Sequence, residues 1–95
     1  MRTLYEARGD EIRALAKSLV LDFMQATEIC QPLQEGISLS QIAKRCGLRW
    51  GDYPKATESN QNYWIVAILQ ELKAEGRVEQ IKESGPWRLK QNLSQ

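Results

Sequence analysis

The chain contains no histidine among its 95 residues. Without an imidazole it lacks the commonest general base and the Cys/His and Ser/His nucleophile pairs, so catalysis is the weakest functional reading. Cysteine is scarce as well. Cys30 and Cys46 are too far apart for zinc-finger or thioredoxin-type spacings, so buried thiols are expected ahead of a disulfide or a reactive thiol. No apolar run approaches the roughly 20 residues needed to cross a bilayer, and Met1-Arg2-Thr3-Leu4-Tyr5-Glu6 has no signal-peptide core. The expectation is a cytoplasmic protein without a membrane partner. No metal, cofactor or small-molecule site is evident in the sequence.

The composition, 42% hydrophobic and 26% charged, fits one globular domain over residues 1–95, with 1–9 as an extension and 91–95 as a frayed tail. A domain of this size buries only about 60–65% of its unfolded surface, so it gains from a partner. A homodimer through the acidic amino-terminal region is expected, because Leu4, Tyr5 and Ala7 have no evident intramolecular contact.

Net charge is only +1, but its distribution is uneven: −2 over residues 1–35, +2 over 36–58 and +1 over 59–95. A basic middle beside an acidic end suits a DNA-facing surface with a separate interaction surface; solvated charge scatter is the plainer explanation.

Residues 36–48 are the most informative stretch. Ser38 is placed to cap a short helix with Gln41 as its capping-box partner, while Ile37 and Ile42 sit at hydrophobic-staple positions. Gly47 supplies a left-handed stop, and Leu48 is placed to fold back onto Ala43. Leu39, Ile42 and Ala43 must dock, leaving Ser40, Gln41, Lys44 and Arg45 wet.

Ahead of it, Ile12, Leu15, Ala16, Leu19, Val20 and Phe23 recur at spacings of three and four, predicting a helix over about residues 10–30 capped by Asp10. Thr3 and Glu6 form a further possible capping box, so residues 4–8 are either a separate turn or an extension broken or bent at Gly9. Gly36-Ile37-Ser38 offers a short extended segment. Beyond a turn-rich stretch at 49–58, Ser59 is placed to cap a third helix, about 59–75, with Ile65, Ile68, Leu69 and Leu72 inward and a stop at Gly76. A hairpin follows: 77–82, a turn at 83–86, then Trp87-Arg88-Leu89-Lys90. Val78 and Ile81, three apart, cannot share a face of a regular strand, so a bulge or an exposed residue is expected. Trp87 is the expected anchor.

This order, together with Ser38-Leu39-Ser40-Gln41-Ile42-Ala43-Lys44-Arg45-Cys46-Gly47-Leu48, Ile68-Leu69-Gln70-Glu71-Leu72-Lys73-Ala74-Glu75-Gly76-Arg77-Val78 and Gly85-Pro86-Trp87-Arg88-Leu89, resembles winged helix-turn-helix domains over about residues 10–90. The fold class implied is α+β, three main helices plus a carboxy-terminal two-stranded hairpin wing. The link between helices two and three is longer than is usual in that group.

The resemblance implies binding of double-stranded DNA by a small transcriptional regulator, with the third helix in the major groove and the hairpin as wing. Residue types agree with that role. Asn62 and Gln70 carry amides suited to an adenine edge, Val66 suits a thymine methyl and Tyr63 a phosphate. Arg49, Lys55, Lys73, Lys82 and Arg88 are the candidate phosphate contacts. Opposing them, Glu71, Glu75, Glu79 and Glu83 crowd the later half. Two plainer readings stand beside these: Asn60, Gln61 and Asn62 as solvated first-turn residues, and Trp50, Trp64 and Trp87 as core pillars. The rival function is a winged-helix interaction module that docks protein through Tyr63, Val66 and Ala67.

Overall fold

The computed structural model of the chain describes residues 2–51 and 53–91, and all of these but Glu58 to the side chain. The expected frayed tail therefore lies almost wholly outside the described residues. Thr3 opens α1 (Leu4–Gln25), its hydroxyl accepting from the Glu6 N–H at 3.0 Å and its own N–H donating to the Glu6 carboxylate at 2.9 Å. This complete capping box starts the helix at Leu4 instead of Asp10. The helix runs unbroken through Gly9, whose cost of about 1 kcal/mol relative to alanine is too small to break it. It stops at Gln25 rather than near residue 30. Gln31 holds that end: its Nε2 donates to the carbonyls of Met24, Gln25 and Thr27 at 3.1, 3.0 and 2.9 Å, giving acceptors at the helix end a partner. A single 3₁₀ turn, Glu28–Cys30, follows.

The short helix α2 (Leu39–Arg45) forms between the expected Ser38 cap and Gly47 stop, but of the expected capping box only the Ser38 half is made among the described residues. Ser38 Oγ accepts from the Gln41 N–H at 3.2 Å. At the other end Gly47 takes φ 68°, its N–H donates to Lys44 at 3.1 Å, and the Leu48 N–H donates to Ala43 at 3.0 Å. These two bonds are the Schellman pair. Helix α3 (Glu58–Ala74) ends in the same way, with Gly76 donating to Lys73 at 3.0 Å and Arg77 to Leu72 at 2.9 Å. Its cap is Thr57, two residues before the expected Ser59; the Thr57 hydroxyl accepts from the Asn60 N–H.

Strands β1 (Val78–Gln80) and β2 (Trp87–Leu89) pair antiparallel, Val78 opposite Leu89 and Gln80 opposite Trp87. Ile81 lies beyond the strand, so it is half-buried without a bulge and the conflict with Val78 disappears. The expected extended segment is a single bridge: Ile37 and Trp87 exchange backbone hydrogen bonds of 2.9 and 2.8 Å. Gly36 makes this approach possible. Its φ is 75°, and a Cβ there would sit 2.6 Å from the Trp87 carbonyl oxygen.

The core lies where α1, α2, α3 and the hairpin meet. Val20, Met24, Ile42, Ala43, Ile65, Leu69 and Leu72 are fully buried, and Trp87, 2% exposed, closes one side. On α1 the expected inward stripe divides: Ala16 and Val20 are buried together with Leu21 and Met24, but Ile12, Leu15 and Leu19 are exposed. Cys30 is buried and Cys46 half-buried, both as free thiols, and burial pushes both above the ordinary thiol range. The whole is a small α+β domain with the winged-helix layout. Among the described residues no helix is long and apolar enough to cross a membrane.

Candidate nucleic-acid interface

At about 100° per residue, α3 turns Ile65, Ile68, Leu69 and Leu72 into the core and sets Asn62, Val66 and Gln70, each four apart, along one flank. That flank is one wall of a groove of about 710 Å³. The start of α2, through Ser38, Leu39 and Ser40, lines it as well. Gln80, Glu83, Ser84 and Pro86 of the hairpin complete it. Three of the sequence-derived site residues are thus brought together facing the wing. Asn62 Oδ1 is withdrawn from solvent and, among the described residues, has no hydrogen-bond partner, so the hydrogen bonding of this groove-side amide is incomplete.

The remaining candidates divide. Lys73 is exposed three residues beyond Gln70 on the same flank, and Lys82 is exposed in the hairpin turn, where its carbonyl accepts from the Gly85 N–H at 3.0 Å. Tyr63 is 74% exposed on the outer face of α3, and Lys55 is exposed in the loop. Arg49 is half-buried and donates to Ser40 Oγ at 2.6 Å, linking the loop to α2. Arg88 lies on the strand face opposite Trp87, donating to Glu79 at 2.7 Å and to the Gln34 carbonyl at 2.8 Å. These two arginines are engaged in holding elements together. The exposed lysines are the cations with fewer internal commitments.

The acids crowding this half of the sequence do not crowd the groove. Glu71 and Glu75 project from the far flank of α3 and both pair with Lys17 of α1, Glu71 at 2.8 Å. The Lys17 ammonium holds the Glu71 carboxyl below its ordinary range, and the carboxylates raise Lys17. Glu79 is paired with Arg88. Glu83 is the acid that lines the groove.

Two contributions escape the sequence reading. Lys44 is exposed one helical turn beyond the groove-lining Ser40 of α2; the periodicity that marks it as wet is the only signal pointing to it. Gln61 is neither a solvated residue nor a base reader. It is 9% exposed, accepts from the Trp50 N–H at 2.7 Å and donates to the carbonyls of Gly51 and Ala56. This one side chain pins the long 49–57 loop to α3. Trp50 and Trp64 are exposed, at 77% and 38%, so of the three tryptophans Trp87 alone is a core pillar.

Among the described residues no cluster of three or more Cys, Asp or Glu side chains could hold a metal ion. No family model, curated protein or solved structure matches the chain.

Proposed function

We propose that this protein binds duplex DNA as a small transcriptional regulator, presenting the Asn62–Val66–Gln70 flank of α3 to the major groove and the hairpin to the adjoining backbone. The observation that carries this reading is the segregation of charge across α3. The acids on one flank are both paired with Lys17, while on the other flank amides and a valine line the groove and an exposed lysine follows them one turn further along the helix. Lys73 and Lys82 stand beside the groove, with Lys44 and Lys55 on neighbouring elements, an arrangement suited to phosphates on either side of an inserted helix. A cytoplasmic location accords with that ligand.

Variants test it by separating phosphate from base contacts. Lys73→Ala and Lys82→Ala should weaken binding to all sequences and each flatten the salt dependence by about one phosphate. Gln70→Ala and Asn62→Ala should mainly relax base preference, by about 1–3 kcal/mol at the position read. Arg88→Ala should leave the salt slope unchanged and act on stability. If Lys73→Ala and Lys82→Ala bind like the parent while Tyr63→Ala abolishes capture of a protein ligand, the interaction-module reading takes its place.

A further inference from the structure

Helix α1 has two apolar faces and the core uses one. Alongside the buried stripe of Ala16, Val20, Leu21 and Met24 lie Leu4, Tyr5, Ile12, Leu15 and Leu19, exposed by 69, 76, 64, 71 and 40%. At about 100° per residue these five span an arc of about 100°, the width of a face that meets another element. Positions 5, 8, 12, 15, 19 and 22 follow the alternating spacing of three and four that marks a helix–helix seam. No residue from Leu4 to Leu15 is buried, so the first half of α1 adds nothing to the buried core. A helical stretch of that length is marginal on its own in water.

Charge identifies what covers it. The seam is interrupted only by Arg8 toward one end and Asp22 toward the other. Both are exposed, and among the described residues neither has an ion-pair partner. A parallel pair of α1 helices would set Arg8 against Arg8 and Asp22 against Asp22. An antiparallel pair that packs Ile12 against Leu15 across a two-fold axis brings Arg8 of each copy within about one turn of Asp22 of the other. The surface is then complementary to itself under two-fold rotation, as an isologous interface requires. We infer that α1 is the homodimer interface of this protein, joining two copies in antiparallel orientation through Tyr5, Ile12, Leu15 and Leu19 and two reciprocal Arg8–Asp22 pairs. The first half of each helix lies along the outer face of the packed half of the other, which covers the apolar side chains that it exposes alone. One helical face is a small interface, so the dimer dissociates on dilution.

Sedimentation equilibrium of the full chain over a range of micromolar concentrations tests this directly. The parent should show a monomer–dimer equilibrium. Leu15→Glu, at a position exposed in the monomer, should raise the dissociation constant by about tenfold or more while leaving far-ultraviolet circular dichroism at high dilution unchanged. Arg8→Asp and Asp22→Arg should each weaken the dimer severalfold, and the double reversal should restore it. A monomer at every concentration overturns the inference, as does a dimer indifferent to Leu15→Glu. A double reversal no better than the single ones overturns the antiparallel arrangement.

Discussion

At the residue scale, two glycines respond to the same substitution with opposite sign. Gly9 sits inside α1 with nothing within 4 Å of where a Cβ would lie, so Gly9→Ala should stabilise by about 0.5–1 kcal/mol. Gly36 has a positive φ and a backbone carbonyl 2.6 Å from the added atom. Gly36→Ala must strain the backbone and displace the Ile37–Trp87 bridge, and should cost about 2 kcal/mol or more. Thermal melts of the two variants check both signs; equal shifts would contradict the close approach at Gly36. Leu33 poses the converse case, a non-glycine residue at φ 71° whose side chain is 70% exposed. Little packing is lost there, so Leu33→Gly should be neutral or stabilising by up to about 1 kcal/mol. A loss of more than that amount in chemical denaturation would reveal a contact made by Leu33.

At the scale of elements, what the sequence discloses depends on how far each instruction reaches. Ser38, Gly47 and Gly76 act on backbone groups within a few residues, so both ends of α2 and the stop of α3 were legible. The hairpin and its Trp87 anchor were legible for a similar reason, since turn residues flank an alternating pattern. Gln31 and Gln61 were not: a glutamine that collects carbonyls from a preceding helix end or a following loop has no local signature. The faces of α1 were half legible. Two apolar stripes share that helix, and periodicity shows that each exists without saying which meets the core, so it points Ile12, Leu15 and Leu19 inward with Ala16 and Val20, whereas Leu21 and Met24 complete the packed face. In the candidate site the amide row was legible from helical spacing. The engagement of Arg49 and Arg88 was not, because their partners come from other elements.

The contact between α1 and α3 carries a prediction in pH. Lys17 lowers the Glu71 carboxyl in the folded chain, so this pairing contributes stability above the unfolded-state value of about 4.3 and loses it as the pH falls through the lower folded value. Lys17 itself is raised, so its contribution is present below about 10.4 and is lost as the pH rises through the higher folded value. The difference in denaturation midpoint between the parent and Lys17→Met should therefore be flat through neutral pH, shrink at both extremes and shrink with salt. A difference that persists unchanged into strong acid would show that Lys17 acts through packing alone. Trp87→Ala belongs to this scale as well, since the ring closes the core and its backbone bridges Ile37; it should cost about 3–5 kcal/mol by calorimetry.

At the scale of the whole molecule, three surfaces divide the labour. A core of α1, α2, α3 and the hairpin holds α3 in place, one side of α3 is ion-paired to α1, and the other opens into the groove with the wing. An α1 dimer relates two such grooves by a two-fold axis, which predicts inverted half-sites in any preferred DNA sequence. DNA binding is tested by the salt dependence of the parent chain's affinity for a random-sequence duplex pool. With Lys44, Lys55, Lys73 and Lys82 available to phosphates, the logarithm of the binding constant should fall linearly with the logarithm of salt concentration, with a slope of about −2 to −4 per protomer. No retention of duplex at about 50 mM salt, or retention indifferent to salt, would contradict the account.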